Sequence, residues 1–177
     1  MPVRKHKRYS RPRKLYDIST MKEEQGLVSK YGLKNRREVW KADFQIARIR
    51  NIAKGLITAE EAKKEEFVTK QKAKGFNVES IADVLGLNKE DWLKRRLQSI
   101  VVKKGFAKTL KAARQLINHK HVKIDGKIID SPSHLTTLEE EKTVSSDLVL
   151  IAKKEMSNEE KAFLKQIKSK ESEEEKA

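Results

Sequence analysis

Residues 95–133 read RRLQSIVVKKGFAKTLKAARQLINHKHVKIDGKIIDSPS, and within this stretch the spacing of apolar residues changes from helical to strand-like. A helix is predicted over 89–104, with Gly105 as its stop signal. Thr109 is suited to cap a second helix. The apolar residues that share a face in the two helices are Leu93, Leu97, Ile100 and Val101, followed by Leu110, Ala113, Leu116 and Ile117. We therefore expect two consecutive helices with their apolar faces turned inward.

The end of the same stretch predicts a β-hairpin. Segments 121–124 and 127–130 have a strand-like period and are separated by Asp125-Gly126, a pair suited to the positive φ angles of a two-residue turn. The further elements expected, in chain order, are a turn at 131–133, a strand at 134–138, a solvated acidic turn at 139–141 and a closing strand at 143–152. Helices combined with a small antiparallel sheet indicate the α+β fold class.

Helix capping signals mark the chain from residue 20 onward. In each, an Asn, Ser or Thr is followed three positions later by an acidic residue, which satisfies free N–H groups at a helix start. The signals are Thr20 with Glu23, Asn35 with Glu38, and Thr58 with Glu61, each followed by a glycine stop (Gly32, Gly55, Gly75), and Ser80, Asn88 and Ser157 repeat the opening residue. We expect a long helix over 36–54, a solvated spacer of mixed charge over 59–74, and a C-terminal helix that frays at its end.

The formal net charge of +15 is concentrated in two segments. Residues 1–58 carry +11 and residues 91–130 carry +8, whereas 59–90, 131–155 and 156–177 carry −1, −2 and −1. Positive charge clustered in this way indicates a polyanionic partner. No apolar run approaches the roughly 20 residues that cross a bilayer, so we expect a folded intracellular protein with no membrane partner.

The N-terminal arm and the helix at 36–54 contain the first basic surfaces. Residues 2–14 carry seven Lys or Arg and no acidic residue, with Tyr9 interleaved, so we expect them to be disordered alone and ordered on a phosphate backbone. Tyrosine faces would be available there for base stacking. In the helix, Arg37, Lys41 and Arg48 line up opposite the apolar face. A solubilising tail and an ordinary solvated face are the alternative interpretations.

Catalytic motifs are missing from the sequence. There is no cysteine, no phosphate-binding glycine loop, no HExxH and no G-x-S-x-G motif. His119 and His121 flank Lys120, whose charge disfavours a metal ion, so RNA contact is the expected role of both histidines. We expect no enzyme activity, no cofactor, no metal and no small-molecule substrate.

The stretch 95–133 resembles the RNA-binding module named after small-subunit ribosomal protein S-four. The matching features are Arg96-Leu97, Gly105 with Ala107, Ala113 to Ile117, His119 with His121, Asp125-Gly126 and Pro132-Ser133. YGLKNRREVW at 31–40, VLGL at 84–87 and the basic arm resemble the archaeal and eukaryotic branch of this family, so the resemblance covers about 1–150. Departures are Lys120 in place of a glycine, Leu110 in place of a frequent arginine, and the region of Glu140 in place of a Gly-Asp turn.

The resemblance implies a helix-turn-helix pair packed on a small antiparallel sheet, preceded by a mostly helical region. The expected regions are a basic RNA-binding arm (1–20), a helical domain (21–90), the S-four-type domain (91–153) and a charged C-terminal helix or tail (154–177). The implied role is that of a structural constituent of the small ribosomal subunit in the cytoplasm. Such a protein binds small-subunit rRNA early in assembly at a multi-helix junction in its 5′ part. The implied neighbours are small-subunit ribosomal proteins and mRNA near its entrance, with an influence on translational accuracy.

Two alternatives remain at this point: an rRNA-processing factor of the U-three ribonucleoprotein type, and an accessory RNA-binding subunit of an RNA-modifying enzyme. The residues predicted to contact RNA are Arg4, Lys5, Lys7, Arg8, Tyr9, Arg11, Arg13 and Lys14 in the arm, Arg36, Arg37, Lys41 and Arg48 in the long helix, and Arg95, Arg96, Lys104, Lys108, Thr109, Lys111, Arg114, Gln115, His119, His121 and Lys123 in the module. Because few aromatic residues accompany these cations in the module, we expect recognition of RNA shape more than of base sequence.

Overall fold

The computed structural model describes residues 8–148 of the 177-residue chain. In chain order its elements are α1 (Ile18–Lys30), α2 (Arg36–Leu56), α3 (Glu61–Ala73), α4 (Ile81–Gly86), α5 (Lys89–Lys94), α6 (Leu97–Lys103), α7 (Leu110–Asn118), β1 (Val122–Ile124), β2 (Lys127–Ile128), α8 (Leu138–Thr143) and β3 (Ser145–Ser146). The first five helices form a helical half, and the remaining elements form a module with a small sheet.

The long helix α2 organises the helical half. Its predicted apolar face consists of Val39, Ala42, Ile46, Ile49, Ala53 and Leu56, of which the first five are buried and Leu56 is half-buried. The first half of this face packs with α1 and α5, and the second half packs with α3 and α4. One continuous helix thereby joins two hydrophobic clusters, and its opposite face is left to solvent.

The module has the predicted arrangement of two helices on a small antiparallel sheet. The strand order is β2-β1-β3. At the hairpin turn Asp125 and Gly126 have φ angles of 49° and 76°, the positive values required by this tight turn. The Thr109 hydroxyl caps α7 by accepting a hydrogen bond from the Ala112 N–H. The α+β fold class is therefore confirmed.

Two predicted helix starts are wrong. The helix α1 begins before Thr20, because Asp17 precedes its first turn and the Asp17 carboxylate accepts a hydrogen bond from the Thr20 hydroxyl. Thr58 does not open α3, because it lies in a turn that still follows α2, where the Ala59 N–H donates to the Leu56 carbonyl. The expected solvated spacer at 59–74 is also wrong, since α3 contributes buried residues to the hydrophobic cluster beneath it.

The single helix predicted over 89–104 is interrupted at Arg95 and Arg96. The backbone of Arg96 is extended, with φ −71° and ψ 144°. The Thr136 N–H donates to the Arg95 carbonyl over 3.1 Å, and Arg96 forms an isolated β-bridge with Leu135. These long-range backbone contacts replace the bonds that would have continued the helix, so α5 and α6 are separate.

The segment after the hairpin also differs from the prediction. The expected strand at 134–138 is reduced to the bridge at Leu135, and the acidic run 139–141 lies in α8 rather than in a solvated turn. A capping box between Thr137 and Glu140 starts this helix. The closing strand is confirmed only as the two residues of β3. Residues 149–152 and the predicted C-terminal helix from Ser157 lie outside the described range.

The predicted domain boundary between residues 90 and 91 falls inside α5, whose Leu93 packs with α1 and α2. The division of the chain into four regions stays a prediction. Among the helices of residues 8–148, none is long and apolar enough to span a membrane.

Gly32 lies at a close approach of the helical half to the module and supplies a test of the fold. Its φ is +58°, and a Cβ there would lie 2.9 Å from the Leu110 Cβ and 3.1 Å from the Gln98 amide nitrogen. Gly32→Ala should therefore lower the free energy of unfolding by about 1 to 3 kcal/mol in urea denaturation. Gly55→Ala is the control, because no atom lies within 4 Å of its added methyl group. Gly55→Ala should raise the free energy of unfolding by no more than about 1 kcal/mol, because alanine favours the helix. An equal decrease in the free energy of unfolding in both variants would contradict the close approach at Gly32.

Candidate nucleic-acid interface

The Glu38 carboxylate joins the helical half to the module. It accepts hydrogen bonds from Arg96 Nη2 at 2.6 Å and from Arg114 Nη2 at 2.8 Å. Glu38 lies in the first turn of α2, whereas Arg96 precedes α6 and Arg114 lies in α7. One carboxylate on the helical half therefore binds two guanidinium groups of the module.

The buried side chain of Gln98 reinforces this junction. Its amide nitrogen donates to the Gly32 carbonyl at 3.1 Å and to the Leu110 carbonyl at 2.8 Å. Gln98 is 1% exposed, so these bonds satisfy a polar group that has no access to solvent. Because Gly32 precedes α2 and Leu110 begins α7, the glutamine fixes the distance between the two halves.

The pKa of Glu38 is lowered by its two arginine partners. Burial raises the pKa, but hydrogen bonds and charge attraction from Arg114 and Arg96 outweigh burial and bring the pKa below its ordinary value. Glu38 is therefore charged at neutral pH and remains paired with both guanidinium groups.

Arg95 forms a second internal junction. Its guanidinium donates to the Lys74 carbonyl, to the Thr136 carbonyl and to Glu141 Oε2, the last at 2.6 Å. Lys103 also binds Glu141, at 2.8 Å. Burial raises the pKa of Glu141, yet the hydrogen bonds from Lys103 and Arg95 bring it below its ordinary value. Arg95 thus ties α8 to the loop that follows α3.

Arg95 and Arg96 do not lie on an exposed basic face, and their predicted contact with RNA stays a prediction. Arg95 is 8% exposed and Arg96 is 4% exposed, and both are ion-paired within the chain. Lys104 is half-buried as well, and its ammonium group donates to the carbonyls of Lys142 and Val144. Helical periodicity describes only residues a few positions apart. It could not show that Arg95 and Arg96 pair with carboxylates far away in the sequence.

Cations from both basic segments of the sequence line one groove, which we call the basic groove. Its lining residues are Arg8, Glu38, Lys41, Ala42, Gln45, Trp92, Leu93, Arg96, Arg114, Pro132 and Ser133. Arg8 comes from the arm, Lys41 from α2 and Arg114 from α7. Glu38 contributes one negative charge, which the guanidinium groups of Arg96 and Arg114 already bind. The groove therefore keeps an excess of positive charge beside a half-buried tryptophan.

An aromatic and cationic stack holds the start of the described arm on α2. The Tyr9 ring stacks on Trp40 with centroids 6.3 Å apart, and the Arg37 guanidinium lies 5.5 Å from the Tyr9 centroid. Arg36 lies against the Trp40 ring at 5.7 Å and pairs with buried Glu24. The Tyr9 ring is thus half-buried in a contact within the chain and is not available for base stacking. Arg36 is half-buried as well, because its guanidinium contacts Trp40 and Glu24.

The other predicted residues lie mainly on exposed surfaces. Exposed side chains are found at Arg11, Arg13, Lys14, Arg37, Lys41, Arg48, Lys108, Thr109, Lys111, Gln115 and His119. His121 is half-buried, and Lys123 binds Asp147 over 3.0 Å. Arg4, Lys5 and Lys7 lie outside the described residues. Among residues 8–148, no group of three or more His, Asp or Glu is arranged to hold a metal ion.

The predicted set lacked seven of the residues that line the groove, among them the polar residues Gln45 and Ser133 and the central carboxylate of Glu38. Gln45 lies one helical turn after Lys41, so helix spacing alone could have included it. Ser133 belongs to the Pro-Ser pair of the family resemblance. Glu38 was interpreted only as a capping residue, because its partners Arg96 and Arg114 are 58 and 76 positions away in the sequence.

Comparison with known proteins identifies close relatives. The S4 domain family model matches residues 95–141. The chain is 42% identical over 145 residues to the small ribosomal subunit protein uS4 of Korarchaeum cryptofilum, an alignment that covers 78% of this chain and 87% of that protein. It is 37% identical over 155 residues to uS4 of Methanoregula boonei, with coverages of 81% and 84%. It is 39% identical over 150 residues to uS4 of Methanothermobacter thermautotrophicus, with coverages of 79% and 85%.

Removing the Glu38 charge should destabilise the chain strongly. Glu38→Gln leaves the buried guanidinium of Arg96 without a counterion, so the free energy of unfolding should fall by about 3 kcal/mol. The measurement is urea denaturation followed by circular dichroism at pH 7. Glu23→Gln is the matched control on α1, because Glu23 is exposed, and it should change stability by less than about 0.5 kcal/mol. A loss below about 1 kcal/mol for Glu38→Gln would show that the junction contributes little.

The ion pairs of Glu38 with Arg96 and Arg114 also predict how stability depends on pH. Because the folded-state pKa of Glu38 lies below its ordinary value of 4.5, its stabilising effect is complete above that pH and is lost as the pH falls through the depressed value. The stability difference between wild type and Glu38→Gln should therefore be constant from pH 7 to pH 5 and shrink below about 4.5. Unfolding curves of both proteins between pH 7 and pH 3 measure this difference, and a difference that does not change with pH would contradict the assignment.

Proposed function

Because the chain belongs to the uS4 family of small ribosomal subunit proteins, we propose that it is a structural constituent of the small ribosomal subunit that binds rRNA along its basic groove. The observation that supports this most directly is the convergence on one groove of Arg8 from the arm, Lys41 from α2 and Arg114 from α7. The S4 domain match at residues 95–141 includes Arg96, Arg114, Pro132 and Ser133, which line the module side of this groove.

The proposed binding mechanism is electrostatic. Lysine and arginine side chains along a groove neutralise phosphates and release condensed counterions, which favours association. Lys41 and Arg8 are exposed at the groove and can reach phosphates, while Arg114 is half-buried and oriented by Glu38. The exposed residues Lys108 and Lys111 at the start of α7 extend the positive surface beyond the groove.

The proposed surface is suited to RNA shape. Its tryptophan, Trp92, is half-buried and stacks on Phe76 with centroids 6.0 Å apart, and Trp40 is covered by Tyr9. The rings of Trp92 and Trp40 are thus occupied by internal contacts, which favours a phosphate-following mode of binding at the groove. A folded RNA junction supplies such a phosphate track.

The finer parts of the proposal follow from the family resemblance. We propose that the chain binds small-subunit rRNA early in assembly at a multi-helix junction in the 5′ part of that RNA. We also propose contacts with neighbouring small-subunit proteins and a position near the mRNA entrance, with an influence on translational accuracy. The chain would act in the cytoplasm as part of the subunit, and the proposal assigns it no catalytic step.

Affinity for the rRNA junction tests the role of the basic groove. Lys41→Ala should weaken binding about fivefold and reduce the slope of log affinity against log salt by about one, because one phosphate contact is lost. Lys54→Ala is the control, since Lys54 is an exposed lysine of α2 that does not line the groove; it should change affinity less than twofold. Filter binding or fluorescence anisotropy across a salt series measures both quantities. A flat salt dependence, or equal effects of the two variants, would contradict binding at the groove.

A further inference from the structure

A second groove lies between α3 and α4. Most of the side chains that line it belong to residues 59–90, the segment with a net charge of −1. Its lining residues are Ile57, Glu61, Lys64, Glu65, Val68, Thr69, Lys72, Glu79, Ser80, Ile81, Ala82 and Leu85, and it encloses about 760 Å³. None of the residues predicted to contact RNA lines it. We call it the α3–α4 groove.

The floor of the α3–α4 groove is apolar and continuous with the core. Val68 is buried in the cluster that contains Phe76 and Val84, and Ile81 and Leu85 pack against this cluster while remaining half-buried. Ile57, at the edge of the groove, is 53% exposed. A groove with an apolar floor and a polar rim is the kind of surface on which an amphipathic helix can lay its apolar face.

The rim of the groove has the opposite charge tendency to the rest of the chain. Three carboxylates and two lysines line it, which gives a net charge of −1 in a protein of net charge +15. Lys64 is bound to Glu61 over 3.1 Å. Glu65 and Glu79 are exposed and form no ion pair with another residue of the described range 8–148. Unpaired carboxylates repel phosphate and attract Lys or Arg, so the rim favours a basic protein segment over RNA.

We propose that the α3–α4 groove binds an amphipathic helix, with Lys or Arg beside its apolar face, from a neighbouring protein of the small ribosomal subunit. This inference rests on the proposed function. The distance along α3 from Glu61 to Lys72 is roughly 17 Å, which matches about three turns of a docked helix. The apolar face of that helix would cover Val68, Ile81 and Leu85, and its cations would pair with Glu65 and Glu79. Residues 156–177 of the same chain carry six acids and five lysines, but four of these lysines fall in the acid-free segment 161–170, so this segment is the competing occupant that the cross-link distinguishes.

The chain contains no cysteine, so an introduced cysteine provides a unique label. Ala82→Cys places a thiol at the exposed wall of the groove, and Thr69→Cys places one on the α3 side. Lys63→Cys is the control on the same helix, because Lys63 is exposed and does not line the groove. Maleimide labelling rates are compared in the free protein, in the complex with rRNA alone, and in assembled small subunits, and a photoreactive maleimide then identifies what contacts the thiol.

The expected result is at least a tenfold slower reaction of Ala82→Cys and Thr69→Cys in assembled subunits, with no slowing in the free protein or with rRNA alone. Lys63→Cys should change less than twofold, and the cross-link should reach a Lys- or Arg-rich helical segment of another subunit protein. Retained reactivity in assembled subunits, protection by rRNA alone, equal protection of all three thiols, or a cross-link to residues 149–177 would each overturn the inference. If the wild-type chain does not copurify with small subunits, the proposed function itself fails, and the groove loses its proposed partner.

Discussion

The ion pair between Glu38 and the two arginines Arg96 and Arg114 determines how the helical half meets the module. A buried ion pair adds little net stability, because desolvation offsets much of the attraction, but removal of one partner is costly. Its main effect is on geometry. The carboxylate on α2 binds Arg96 and Arg114 of the module, and the hydrogen bond from Gln98 to the Gly32 carbonyl adds a second contact between the two halves. The wall of the basic groove that α7 provides is therefore held at a fixed position relative to the wall that α2 provides.

The break between α5 and α6 lets two neighbouring arginines serve different junctions. In a continuous helix, the side chains of Arg95 and Arg96 would point in directions about 100° apart around the same helix axis. Because Arg96 has an extended backbone, its side chain reaches Glu38, while Arg95 reaches Glu141 and the segment before α8. A single interruption of the helix thereby connects the module both to α2 and to its own C-terminal part.

The local features of this fold were predictable from sequence, whereas the long-range pairings were not. The apolar face of α2, the Thr109 cap and the Asp125-Gly126 turn each depend on residues a few positions apart, and the structure contains all three. The burial of Arg95 and Arg96 depends on carboxylates 46 and 58 positions away, and α8 depends on a capping pair inside an acidic run that also fits a turn. Charge clustering likewise predicted which segments are basic. It could not distinguish exposed cations from cations such as Arg95 and Arg96 that are buried in ion pairs within the chain.

In the proposed complex with rRNA, the stack of Tyr9 on Trp40 would fix the point from which the basic arm reaches RNA. The stack holds the residue next to Arg8, which lines the basic groove, against α2. Once a phosphate occupied the groove, capture of the next phosphate by the arm would be an intramolecular step. Such a step would take place at an effective concentration in the millimolar range, far above that of free RNA in solution. The stack would therefore act on the kinetics of binding, by raising the probability of rebinding before the RNA dissociates.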